Sequence, residues 1–369
     1  MTTLEKKSLK NIFEKNNIIT PNQKDEDWLY YNIEKLLKNE LQDNTTNNAQ
    51  SNIIPEGNYL FIKNGKLEDK KLSNNIILKD KTHQEINENS FVNLAKKTSD
   101  TINLSIKNST EKLCIIYESI CNINSSNINI ELENSKLNLE RVFITNEHSI
   151  SNNYMNIKAS QTSTVIINET NNENKGHTLD FVDSSLEENC HLIGLNQSYL
   201  SDNSRFENRV NMNGESATAR LNGLCINAED KECFYNTHVF HNKGNNESHQ
   251  LFKSINKNNA LFEYNGKVSV KKDAQQINSY QLNQNICLDD FATIHSRPQL
   301  FIDADDVKCS HGSTTGDLNK EELFYLKSRG LDEVTSKKMV LRAFVDEVFQ
   351  HEELRDKSQK INHYLDNIL

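Results

Sequence analysis

The side chains of this sequence best suited to chemistry are a cysteine and a histidine two residues apart, in Cys309-Ser310-His311. If residues 307–311 are extended, Cys309 and His311 leave the strand on one face, about 7 Å apart. A soft thiolate beside an imidazole suits iron, zinc or copper. The competing reading makes Cys309 an inert buried thiol and His311 a hydrogen-bonded core or turn residue. Weaker candidates surround this pair. Cys225 and Cys233 have seven residues between them and read as packing. His238, His241 and His249 fall within twelve residues, yet strand histidines usually satisfy a local hydrogen bond. Asp303, Asp305 and Asp306 could face a hard cation, but their oxygens alternate faces, so a solvated turn is expected; Asp289 and Asp290 read the same way.

What is missing narrows the chemistry. The chain has no G-x-x-x-x-G-K-[ST] phosphate loop, no G-x-S-x-G, no H-E-x-x-H and no G-x-G-x-x-G. Its seven cysteines (114, 121, 190, 225, 233, 287 and 309) are odd in number and never form C-x-x-C, which argues against a disulfide framework or a zinc ribbon. A formal net charge of -10 argues against non-specific binding to nucleic acid or an anionic membrane. Without a secretory signal at residues 1–10 or an apolar run near the ~20 residues of a membrane span, a cytoplasmic protein is expected.

The elements that must position Cys309 and His311 are mostly strands. From about residue 53 to 302 the sequence runs in short alternations such as Ile102-Asn-Leu-Ser-Ile106 and Ile128-Asn-Ile-Glu-Leu132, separated at intervals of roughly ten by Asn, Ser and Asp. Asn is about one residue in seven, against 11 Gly and 3 Pro, so left-handed turn positions are expected to be closed by Asn. Hydrophobic residues are only 35%, which fits a β-solenoid with polar outer faces better than a sandwich, although alternation alone admits both. Helical patterns flank this region. One follows Asp25-Glu26-Asp27-Trp28 with Leu29, Ile33, Leu36, Leu37 and Leu41. In the tail, Asn319 and Glu322 form a capping box, Gly330 stops that helix, and Val340, Leu341, Phe344, Val345 and Val348 line the next. The expected organisation is a helical region and linker over residues 1–52, a β core over 53–316, and a helical domain over 317–369.

The block Asp305-Asp-Val-Lys-Cys-Ser-His-Gly-Ser-Thr-Thr-Gly316 followed by Leu323-Phe-Tyr-Leu-Lys-Ser-Arg-Gly330 resembles the SufB/SufD family, the core scaffold subunits of SUF iron–sulfur cluster assembly. His238, His249, Phe252-Lys-Ser254, Phe262-x-x-x-Gly266-Lys-Val268, Ala274-Gln275 and Gln281-x-Asn283 support the resemblance, as does Lys24-Asp-Glu-Asp-Trp28-x-Tyr30 near the amino terminus. Residues 60–230 match only in pattern. Ser310-His311-Gly312-Ser313-Thr314 stands where SufB proteins typically carry E-H-E-A-T, so the chain is similar to the SufD branch. The resemblance implies a mainly β fold, a right-handed parallel β-helix flanked by helices, with no catalysis of its own. It implies a heterodimer with SufB, docking of the ATPase SufC on the C-terminal helices, and a homodimer as the state open to the isolated chain. It assigns His311 and Cys309 to a transient metal or iron–sulfur cluster site shared with SufB, with no tightly bound cofactor. Leu341, Phe344 and Val348 are the residues expected to meet SufC. The reading from a different class is a β-solenoid carbohydrate-active enzyme, which needs carboxylates converging on a groove.

Overall fold

The computed structural model describes residues 8–38, 55–80, 89–120 and 122–369. Short alternating strands with two-sided burial must find partners on both edges, and here they do so by coiling. Successive strands pass alternately to a ten-stranded and a nine-stranded sheet. Each inner strand pairs in parallel with its counterpart one coil earlier and one coil later. His177–Leu186, for example, lies between Ile150–Ser160 and Asn203–Met212. Among the described residues antiparallel pairing occurs only at the start, where Asn58–Lys63 meets Lys66–Lys71 and Ile76–Lys79 meets Thr101–Lys107. The fold is a parallel β-solenoid of about eight coils, and the sandwich is excluded.

Corners explain much of the asparagine. Asn108, Asn134, Asn189 and Asn245 recur at one corner of the coil, Asn122 and Asn258 at the other, all with positive φ. Among described residues, Asn fills eight of the sixteen non-glycine positions with positive φ. Its short amide tolerates the left-handed conformation better than other side chains with a Cβ. Corners also stack through side chains: Asn134 Nδ2 donates to Asn108 Oδ1 at 2.9 Å, and Asn242 Nδ2 to Asn213 Oδ1 at 2.9 Å.

The strands are longer than the apolar alternation suggests. Ile123–Glu133 spans eleven residues, and its polar start, Asn124, Ser125, Ser126 and Asn127, is buried along with Ile128 and Ile130. Inside the coil, one column runs Leu139, Ile167, Gly194, Leu221, Gln250, Gln281, His311, changing from aliphatic to polar toward the last coil. The next holds a buried charge cluster. The Arg141 guanidinium donates to both Asp180 oxygens at 2.7 and 2.6 Å, to Glu169, and to the Tyr117 hydroxyl at 3.3 and 3.2 Å.

Helices cover the outer faces. Leu9–Lys15, Ile33–Lys38 and Ser90–Thr98 pack with Trp28 and Tyr31 on Leu179, Phe181 and Phe234 of the nine-stranded sheet. The helix Ser90–Thr98 interrupts a region read as continuous strand; it is capped by Asn89, whose side chain accepts from the Phe91 and Val92 N–H. Leu41 and the linker expected at 42–52 lie outside the described residues. In the tail, Asn319 caps Lys320–Ser328 and donates to Glu322 at 3.2 Å, Gly330 takes φ +93° after that helix, and Glu333–Asp346 and Ile361–Ile368 follow. No helix among the described residues is long and apolar enough to cross a membrane.

The buried cluster makes stability depend on pH. Burial, reinforced by the neighbouring Asp180, pushes the Glu169 carboxyl up to about 8. An acid with a raised native pKa holds a proton that the unfolded chain releases, so stability falls as pH rises from about 4.5 toward 8. In urea titrations between pH 5 and 8 the Glu169 proton should contribute a decline in unfolding free energy of at most about 1.4 kcal/mol per pH unit, set against the rise below about pH 7 that comes from the buried His177, His238 and His241, all pushed down to about 4. Glu169→Gln should flatten that decline; an unchanged slope would place its origin elsewhere.

Candidate functional site

Cys309 and His311 sit on Val307–Gly316, the last strand of the ten-stranded sheet. Among the described residues it pairs along one edge only, with Ile277–Cys287, which sets Cys309 beside Ser279 and His311 beside Gln281. The pleat places Cys309 and His311 on one face. Cys309 is half-buried against the interior core, and the Ser279 backbone N–H reaches its thiol. Burial holds that thiol above its ordinary value, with the Ser279 N–H opposing the effect. His311 is exposed. The strand is joined across the coil by the Ser296 and Ser313 hydroxyls at 2.7 Å, and the Asn285 amide donates to Thr314 O at 3.3 Å.

Beneath the pair lies a polar floor that alternation reads the wrong way round. Ser279, Gln281, Asn283 and Asn285 are buried, while the apolar residues between them, Tyr280 and Leu282, are 41% and 37% exposed. Both amide atoms of Gln281 lack a protein partner. Only the register shows this inversion; the sign available in the sequence is the unbroken polar set at alternate positions 279–285. The end of the solenoid therefore offers a polar mouth holding one thiol and one imidazole, with apolar side chains outside it, including Phe301 and Phe291.

The weaker candidates do not converge. His238 faces outward and bonds Ser269 at 2.8 Å, whereas His241 faces the interior and bonds Ser248 at 2.9 Å. His249 lies on the other sheet beside Glu247 and stacks on Tyr280. Burial pushes His238 and His241 down to about 4, so both are neutral at pH 7. Cys225 and Cys233 pack together in the interior. Asp289 accepts the Asn258 and Phe291 N–H in an exposed turn, and Asp303, Asp305 and Asp306 are exposed. No group of three or more His, Cys, Asp or Glu able to hold a metal occurs among the described residues.

The residues expected to meet SufC need correction as a surface. Leu341 and Val348 are fully buried with Leu195, Leu224 and Ile255 of the chain's own sheet. Phe344 is half-buried, its ring 4.2 Å from the Lys253 ammonium. An apolar helical stripe serves a sheet or a partner equally well, and here the sheet takes it. The tail's exposed apolar residues are Phe324, Tyr325, Val334 and Met339.

A family model described as SUF system FeS cluster assembly, SufBD core domain, matches residues 118–344. The chain is 36% identical over 156 residues to the iron–sulfur cluster assembly protein SufD of Escherichia coli, covering 42% of this chain and 36% of that one. It is 43% identical over 101 residues to an iron–sulfur cluster assembly SufBD family protein of Synechocystis, covering 27% and 22%. With the chloroplastic protein ABCI7 of Arabidopsis thaliana it shares 36% over 142 residues, covering 37% and 29%. The matched segments thus span about a third or less of these relatives. The chain belongs to the SufBD family.

Burial ranks the thiols. Under native conditions iodoacetamide should label Cys309, Cys114 and Cys287 slowly, and Cys190, Cys225 and Cys233 only in denaturant. Peptide mass spectrometry resolves each site; early labelling of Cys225 or Cys233 would contradict the packed interior.

Proposed function

We propose that this chain is a SufD-like, non-catalytic scaffold subunit whose terminal strand supplies part of a transient iron–sulfur assembly site, completed by SufB. One observation carries the reading: an exposed imidazole and a half-buried thiol stand on one face of an uncapped edge strand, with too few ligands around them to close a site. A soft metal bound by His311 and Cys309 alone keeps open positions, which a second protein's thiolate or carboxylate would fill. His311 is the primary donor because it is exposed, while Cys309 is shielded and held protonated by burial.

The inverted rung supports a partner at this end. Tyr280, Leu282, Phe301 and Phe291 present apolar surface next to two unpaired strand edges, the kind of surface that proteins cover. SufB fits that role, and a second copy of this chain would occupy it when SufB is absent. For SufC, the exposed Phe324, Tyr325, Val334 and Met339 are better contacts than Leu341 and Val348. The carbohydrate-enzyme alternative gains no support, because its candidate aspartates lie in separate exposed turns.

His311→Ala should leave the melting temperature of the isolated chain within about 1 °C, since little is buried there, and lower cluster formation by a reconstituted complex with SufB and SufC at least tenfold. Full activity of the variant would remove His311 from the site. In pull-downs, Phe324→Ala with Tyr325→Ala should weaken SufC capture while the chain stays folded. Leu341→Ala should instead cost about 2–5 kcal/mol of stability. SufC capture unaffected by the paired exposed variant would move the docking surface off this helix.

A further inference from the structure

The terminal strand of the nine-stranded sheet, Thr293–Ile302, has no later coil above it, yet its outer face is not free. Residues 26–31 run along it, with side chains alternating between this strand and the coils below. Their inner side chains anchor lower coils. Trp28 is buried with the Arg205 guanidinium 4.0 Å from its ring, and Tyr31 is buried beside Phe234, its hydroxyl donating to Asn203 at 2.9 Å. Their outer side chains reach three successive outward positions of the terminal strand. Tyr30 stacks on His295 at 3.6 Å, Arg297 donates to the Glu26 carbonyl at 3.0 Å, and Gln299 donates to the Glu26 carboxylate at 3.0 Å. Lys267, one coil below, pairs with Asp27 at 3.0 Å.

Anchor and clip differ in kind. The anchor buries two large aromatic rings, and that term is insensitive to salt. The clip is charged and about half exposed at Glu26 and Asp27, which makes it weak and open to screening. The layer beneath is incompletely paired: Arg205 Nε and Nη1, both amide atoms of Asn236, Arg297 Nε and one Glu263 oxygen are buried without a protein partner. Water entering on separation would satisfy those groups and so compensate for the broken ion pairs and hydrogen bonds of the clip.

We propose that residues 26–31 form a releasable clasp on the terminal coil, and that its opening loosens the cysteine–histidine strand. Transmission follows from the pleat. His295, Arg297 and Gln299 face the clasp while Ser296 faces the interior, where its 2.7 Å bond to Ser313 ties the clasped strand to Val307–Gly316. That second strand has one sheet neighbour among the described residues, so its order depends also on the strand the clasp holds. The proposal concerns the mechanics of the solenoid end and stands whether or not a cluster is assembled there.

Hydrogen exchange on the full chain, read by mass spectrometry, tests it without any substitution. Raising NaCl from about 0.02 to 0.5 M should speed exchange in 293–302 and 307–316 about two- to fivefold, the range expected for losing exposed ion pairs, with 150–270 unchanged. At low salt, Glu26→Gln with Asp27→Asn, and separately Tyr30→Ala, should reproduce the change. Each should also raise alkylation of Cys309, but not of Cys287, by a similar factor. Exchange that stays constant, rises only within 8–38, rises evenly through the solenoid, or rises in 293–302 without 307–316 would overturn the proposal.

Discussion

In a solenoid each strand borrows its stability from the coil on either side, and the last coil has only one side to borrow from. Every inner rung here is paired twice, so its backbone groups are satisfied and its inward side chains are roofed. On Thr293–Ile302 and Val307–Gly316 those conditions lapse together. Among the described residues the outer edges are unpaired, Cys309 is covered from one side, and His311 is exposed. Exposure of the imidazole is therefore a consequence of where the coil stops. The same stop leaves a polar mouth where another protein has backbone edges to pair with and side chains to meet.

The interior makes that ending tolerable. An aliphatic lumen exposed at its last rung would present a large apolar hole and invite indiscriminate association. Along one column the lumen changes from Leu139 and Ile167 to Gln250 and Gln281, and along another from Leu192 and Ala219 to Ser248 and Ser279. Hydrogen bonds replace apolar contact as the mouth nears, as in His241 to Ser248 and Ser248 to Ser279 at 2.9 and 2.8 Å. Such a gradient costs apolar burial in the upper coils, and the tail helices restore it outside. Leu341, Val345 and Val348 bury Leu224 and Ile255 on the outer face, and the strand of Ile255 is one whose inner face carries Ser248, Gln250 and Ser254.

Legibility in the sequence followed the range of each interaction. Corners are local, so Asn with few glycines announced them, and the Asn319 cap with its Gly330 stop was readable for the same reason. Contacts between coils join residues 26 to 32 apart, a spacing no short window sees. Arg141, Glu169 and Asp180 look like unrelated surface charges until stacking brings them together. The Cys309–His311 pair was visible as chemistry, but its polar floor was not. At 279–285 the rule that apolar positions face inward is reversed, and only the pairing with 248–254 and 309–315 reveals it.

The buried stripe of the tail shows why helical amphipathicity alone could not choose between a partner and the core. Both demand apolar side chains every three or four residues, and the free energy of burying Leu341 is the same whichever surface covers it. What separates them is the apolar area left after the chain has satisfied itself. Glu333–Asp346 commits Leu341 and Val345 to the sheet but leaves Val334 and Met339 at its start exposed, and the preceding helix Lys320–Ser328 buries none of its side chains. This nine-residue helix has no fully buried residue; it packs Leu323 against the cluster on the sheet's outer face and carries Phe324 and Tyr325 outward. The apolar area that the tail leaves open therefore lies mostly on its first helix, which is why the proposed docking of SufC rests on Phe324 and Tyr325 and not on the buried stripe of the second.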